Sequence, residues 1–461
     1  MSTERTEQFL KWDKDHVIHS LFPIGGELPG IVFDKTEGIM VADTEGKEYI
    51  DIAAQLTCSN LGHRQKDVVE AITEALSKTD YTETYYGYSN PYCSECAYKL
   101  AEITPSGLNR FFFSSGGGEA NEFAIKFARL YWYSKGKGTK FKIISLRGSY
   151  HGSHGMSISA SGVGPLYTRG MGPLGVGFIK VPPPYCYRCP FGLSHPGCDI
   201  RCAQFLNDVI GNEDAETVAA FIGEPILGGG GVIDPPPEYW PMVREICTDH
   251  NVLFIGDEVQ SGFCRTGKMW ALEHWNVEPD IMTMAKGIAA SVLPFGAVSI
   301  SDEVYEGMKG QMLSGGYTYS GHPIGCAASS AAIDIYLKEN VADNAAKVGK
   351  HIGERLEAEL LPLPGVGEVR GKGLFLAAEL VSDKDSKTPI DPGVRAELTR
   401  KLLDAGIFPR GGGYMNSVLY ITPPCTITIE EADRALDIIK PIIAELDLKK
   451  PALGPRASKG F

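Results

Sequence analysis

No run of apolar residues in this chain approaches the length needed to span a bilayer, which excludes a helical membrane anchor. The first residues include Glu4, Arg5, Glu7 and Lys11 where a secretion signal would need an apolar core. A basic surplus is missing too. Lys and Arg number 44 against 57 Asp and Glu, a net charge of -13, which argues against a nucleic-acid or anionic-membrane surface. There is no tandem repeat and no low-complexity block. Cysteine is not scarce, but the 11 residues are odd in number and mostly scattered. Cys58, Cys247, Cys326 and Cys425 lie in or beside apolar segments, where a thiol acts as a small core residue, so a disulfide framework is not expected. The expectation is a protein of the reducing cytoplasm, long enough at 461 residues for two or three domains.

What is present centres on residues 251–287. Val252, Leu253, Phe254 and Ile255 read as a buried parallel strand, followed at once by Gly256, Asp257, Glu258, Val259 and Gln260. A second apolar run, Ile281 to Met284, ends in Ala285, Lys286 and Gly287. Taken singly, Lys286 reads as a solvated charge and Asp257 as a turn residue. Together they place an acid and an amine at the C-terminal edge of an α/β sheet, where ligands bind. That pair suits pyridoxal 5'-phosphate: Lys286 for a Schiff base with its aldehyde, Asp257 for its pyridinium nitrogen.

Along the chain, Ile39 to Asp43 and Glu48 to Ile52 read as a hairpin around Glu45-Gly46. Phe111 to Phe113 is a strand, broken by residues 114–118 before a helix from Glu119 to Tyr133. A glycine loop opening a helix offers backbone N–H groups to a phosphate, although alone it is equally a tight turn. Further strands fall at Ile143-Ile144, Val218 to Ile222 and Val418 to Ile421, and Thr428 with Glu431 has capping-box spacing. Arg410 starts a loop flanked by Pro409 and Gly411, Gly412 and Gly413. Cys186, Cys189, Cys198 and Cys202 stand in an irregular Pro-rich insertion; their spacing permits a structural zinc, but free thiols are the expectation and no metal is assigned. The tail from Lys449 reads as poorly ordered.

The string Asp257-Glu258-Val259-Gln260-Ser261-Gly262-Phe263, then Arg265-Thr266-Gly267, Pro279-Asp280 and Ala285-Lys286-Gly287 closely resembles the class III, or ω-, aminotransferases, fold-type I pyridoxal-phosphate enzymes. The likeness runs from about Asp15 to Pro424. It implies a large α/β/α domain with a mostly parallel sheet, residues 61–330, and a smaller α+β domain built from both chain ends, residues 1–60 and 331–461. It also implies one antiparallel strand, Phe295 to Ile300, at the sheet edge. By the same resemblance Gly117 and Gly118 cradle the phosphate, although the usual serine-glycine-serine cup has become Gly116, Gly117 and Gly118. Tyr150 stacks on the cofactor ring with Val259 on the other face, Gln260 holds the ring hydroxyl, and Glu224 belongs to the cofactor site. Thr318 reaches the phosphate of a neighbouring subunit, which implies a homodimer, or a tetramer built from two. Leu56, Thr57, Tyr85 and Tyr86 match substrate-facing positions.

Glutamate-selective members of that family carry an arginine just before the position of Thr422-Pro423-Pro424; here Leu419, Tyr420 and Ile421 occupy the place. Arg410 instead matches the mobile arginine of the pyruvate-linked members. The implied activity is transfer of an amino group from an ω-amino acid or primary amine to a keto acid, pyruvate first. A mutase or decarboxylase on the same cofactor, and a non-catalytic binding protein, are the alternatives.

Overall fold

Unbroken apolar runs become the middle strands of the largest sheet. The computed structural model describes residues 3–448, so the tail from Lys449 lies outside the described residues. Strands β1 (Phe33–Glu37), β2 (Met40–Asp43) and β3 (Glu48–Asp51) form an antiparallel meander. The expected turn is there: Gly46 takes a positive φ of 82°, and the Asp43 carboxylate accepts from the N–H groups of Glu45 and Lys47.

Seven strands follow: β4 (Arg110–Ser114), β5 (Lys142–Leu146), β6 (Phe178–Val181), β7 (Val218–Gly223), β8 (Leu253–Asp257), β9 (Ile281–Ala285) and β10 (Gly296–Ile300). They lie in the order β4-β10-β9-β8-β7-β5-β6. Every pairing is parallel except the two made by β10, which runs antiparallel to β4 and to β9. The expected edge position for this strand is therefore corrected. β10 is interior, all five of its residues are buried, and it carries none of the charges or prolines that protect an exposed edge.

The helix Gly117–Ser134 covers one sheet face through Phe123, Phe127 and Tyr131, the stripe legible in its sequence. Strands β11 (Val366–Lys372), β12 (Phe375–Asp383) and β13 (Thr388–Pro389) come next, then β14 (Ile407–Phe408), β15 (Arg410–Gly412) and β16 (Val418–Ile421). β14 pairs in parallel with β3, so one small sheet uses both ends of the chain. The others form a sheet in the order β11-β12-β16-β15, with β13 on β12. Arg410, expected to start a loop, instead opens β15 and lies opposite Tyr420 of β16. Glycine makes this strand possible: a Cβ at Gly411 would stand 2.1 Å from the Arg395 guanidinium, and one at Gly412 2.9 Å from the Tyr420 ring. The helix Ile429–Ala444 starts with the expected capping box between Thr428 and Glu431.

Arg265 ties these parts together. It is fully buried and donates to the carbonyls of Leu374 and Pro423 and, at 2.7 Å, to Asn60 Oδ1. Replacing it by leucine leaves three buried acceptors without a donor, each costing about 1–3 kcal/mol. Arg265→Leu should therefore lower stability by at least about 3 kcal/mol, read as a large drop in the thermal unfolding midpoint.

Candidate active site

The C-terminal ends of β4, β5, β7, β8 and β9 open on one side of the sheet, and the residues that follow them meet there. Asp257 ends β8 in register with Thr283 of β9. It is 2 % exposed. A buried carboxylate needs partners, and Asp257 has three. His151 Nδ1 lies 2.6 Å away, Asn121 Nδ2 donates at 2.8 Å, and the Val259 N–H donates at 3.1 Å. Asn121 is itself fixed, donating to the His151 carbonyl and accepting from the Thr283 hydroxyl.

Lys286 follows β9 directly, with a φ of 50° that side-chain-bearing residues rarely adopt. The next residue holds this bend: the Gly287 carbonyl accepts from Tyr336 Oη at 2.7 Å, and a Cβ there would strike Asn60. Among the described residues the Lys286 ammonium has no hydrogen-bond or ion-pair partner. Burial first, and then the positive charge of Arg410, bring its pKa down to about 8 against the opposing pull of Cys58, Glu224 and Asp257.

Glu224, just beyond β7, accepts from the N–H groups of Tyr150 and Gly228. Burial drives its carboxyl up to about 7, opposed by His151 and reinforced by Asp257. Gln260 is buried with Nε2 unpartnered among the described residues, and its amide lies so close to Gly228 that a side chain at 228 would collide with it. Tyr150 is half-exposed, its ring packed on Tyr167 and its hydroxyl on Ser153.

Gly116 caps the helix Gly117–Ser134, leaving first-turn N–H groups free of helix partners. A Cβ at Gly117 would lie 2.6 Å from Val259, and one at Gly118 2.7 Å from His154 Nδ1. Neighbouring side chains thus fill the room that the missing hydroxyl at position 118 would need.

Arg410 lies over the Tyr420 ring at 4.7 Å and donates to Thr57 Oγ1 at 2.6 Å. Its effect on Lys286 places it beside the same site. Leu56, next to Thr57, is 65 % exposed. Tyr85 packs at Gly316, and Tyr86 is 90 % exposed. Thr318 is exposed on the same surface, where its carbonyl accepts from Tyr81 Oη. The single chain thus gathers Gly117, Gly118, Tyr150, Glu224, Asp257, Val259, Gln260, Lys286, Thr57 and Arg410, and leaves Leu56, Tyr86 and Thr318 on its surface. Among the described residues Cys186, Cys189, Cys198 and Cys202 form no set able to hold a metal.

Reasoning from sequence missed His151 and Asn121. Both carried a weak signal: His151 directly follows Tyr150, and Asn121 is a polar residue among the buried positions of the helix Gly117–Ser134.

The electrostatics make a direct expectation. Labelling of Lys286 by an amine-reactive reagent should titrate with a midpoint near pH 8. Arg410→Ala removes a like charge and should move that midpoint upward, as followed by peptide mass spectrometry across pH.

Comparison with known proteins agrees with this geometry. The profile described as aminotransferase class-III matches residues 24–443. A diaminobutyrate–2-oxoglutarate transaminase of Halomonas elongata is 34 % identical over 88 % of this chain and 89 % of its own. A putrescine–pyruvate aminotransferase of Pseudomonas aeruginosa is 33 % identical over 89 % of each chain. The crystal structure of an (S)-enantioselective omega-transaminase from Thermomicrobium roseum superposes with a TM-score of 0.91 at 38 % identity, over 96 % of this chain and 99 % of that one. An unpaired strand-end lysine, a buried aspartate two strand ends away from a glycine-opened helix, and likeness over the whole length lead to one assignment: this chain belongs to the class III aminotransferase family and has the fold-type I architecture.

Proposed function

We propose that this chain binds pyridoxal 5'-phosphate and transfers the amino group of an ω-amino acid or primary amine to a keto acid, with pyruvate as acceptor. The observation that carries the reading is the Lys286 amine: buried, unpartnered, and lowered to about 8 beside a hydrogen-bonded carboxylate. The residues present fit the cofactor. Gln260 Nε2 is a buried donor with no acceptor, suited to the ring hydroxyl. Gly117 and Gly118 leave backbone N–H groups for a phosphate, and Tyr150 and Val259 offer a face each to a flat ring. When bound, the cofactor supplies an electron sink for the pair left when a substrate carbon loses its proton.

The chain's own part is to hold and to move protons. Asp257 offers its carboxylate to the ring nitrogen and favours the protonated form there. His151 and Asn121 fix the direction of that carboxylate. Lys286 takes the proton from the substrate carbon and returns it, which an amine poised near neutrality does well. Arg410 receives the acceptor's carboxylate with two parallel hydrogen bonds. Arg370, the other arginine considered for the carboxylate, is engaged by Glu368, Glu379 and the carbonyls of Gly231 and Val232, which supports Arg410.

The exposed Leu56, Tyr86 and Thr318 support a homodimer in which Thr318 completes the phosphate site of the other subunit. Eleven free thiols suit a reducing compartment such as the cytoplasm.

An amine panel assayed against pyruvate and against 2-oxoglutarate tests the function. Turnover should require a keto acid and favour pyruvate; product formed without any acceptor would instead indicate a mutase or a decarboxylase. Lys286→Ala should lose about 10²–10⁴-fold in turnover. Arg410→Ala should slow the keto-acid half-reaction by about ten- to a hundredfold and leave reaction with an uncharged amine nearly unchanged, in single-turnover measurements. Sedimentation should find a dimer or larger, and Thr318→Ala should shed cofactor on dialysis faster than the wild type.

A further inference from the structure

Behind β15, on the far side from Tyr420, lies a cavity of about 660 Å³ that the site above does not use. Its walls come from the N-terminal segment, from the β2–β3 hairpin, from the helix Pro392–Asp404 and from β15 itself. Arg395 lines it and is only 5 % exposed. Among the described residues no acid, carbonyl or hydroxyl accepts a hydrogen bond from the Arg395 guanidinium, and its Nη1 is buried without a partner. Burial pushes this guanidinium down to about 10, with Tyr420 the only group opposing the shift.

The other deeply buried arginines are treated differently. Arg265 reaches three acceptors, and Arg370 meets two carboxylates and two carbonyls. A charge buried without a partner is costly and is seldom left so. The surroundings of Arg395 add positive charge. Lys47 and Arg400 line the same cavity, and its one acid, Asp404, is already engaged, pairing with Arg400 at 2.7 Å while its carbonyl accepts from Lys47. Pro29, Ile31 and Leu403 supply an apolar wall.

We infer that this cavity is a binding site for a small organic carboxylate, held on Arg395 with its apolar body against Pro29, Ile31 and Leu403. The volume suits a small-molecule ligand. A planar guanidinium matches a carboxylate with two parallel hydrogen bonds, and the apolar wall distinguishes an organic anion from an inorganic one. The inference is independent of which amine or keto acid the enzyme uses.

Calorimetric titration of the holoenzyme tests it, in an Arg410→Ala background so that the active-site arginine cannot answer. The probes are benzoate, acetate and inorganic phosphate. Benzoate should bind at one equivalent per chain, more tightly than acetate or phosphate. Adding Arg395→Met should weaken it about ten- to a hundredfold. Ala396→Trp keeps Arg395 and fills the cavity, and should abolish binding; it decides the matter alone where Arg395→Met fails to fold. Equal binding with and without Arg395, undiminished binding to Ala396→Trp, or no binding of any probe overturns the site. Phosphate bound in preference to benzoate overturns the ligand class.

Discussion

A carboxylate buried at the end of a parallel strand is the condition on which the active site rests. Asp257 can lie there only because His151 and Asn121 come to it from two other segments. Asn121 needs the helix that the glycine loop opens, and His151 needs the turn after β5. Thr283 of the adjacent strand then locks Asn121 in place. The same geometry that supports one charge thus sets the position of the glycine loop, Tyr150 and the lysine strand relative to each other.

Lys286 sits between opposing fields. Burial and Arg410 disfavour its charged form, and Glu224, Asp257 and Cys58 favour it. Removal from water dominates, so the amine's pKa is lowered because of where β9 ends rather than because of one chosen neighbour. Arg410 contributes to that state and also opens a strand whose other two residues are glycines, where Thr57 and Tyr420 hold it in the conformation seen here. On the proposed function the same group would receive the acceptor's carboxylate, and acceptor binding would then be coupled to the proton chemistry.

The sequence made the parallel strands and their acidic and basic ends plain, since runs such as Val218 to Ile222 leave no amphipathic alternative. It did not reveal that β10 lies inside the sheet. Its lack of edge-protecting charges and prolines points inward, but only the pairing with β4 shows it. Arg410 read as part of a loop because glycines usually break strands; here they let the backbone approach Arg395 and Tyr420 closely. His151, Asn121 and Arg395 stayed hidden for another reason. Their significance lies in partners, or a lack of partners, more than a hundred residues away or visible only in three dimensions.

The inserted antiparallel strand also governs the order of assembly. Among the described residues β4 has no neighbour in the sheet except β10, which begins at Gly296 while β4 ends at Ser114. A ribosome adding about 5–20 residues per second needs roughly 10–40 s to make the chain between them. Throughout that interval three consecutive phenylalanines have no strand to pair with. The helix that follows them gives partial cover at once, with Phe123 stacked on Phe112 at 3.9 Å. Phe113, which stacks on Phe295, must wait until its partner emerges just ahead of β10. The nascent chain therefore carries a sticky, unpaired strand for most of the synthesis of its large sheet, and this is the stretch a chaperone would have most reason to hold.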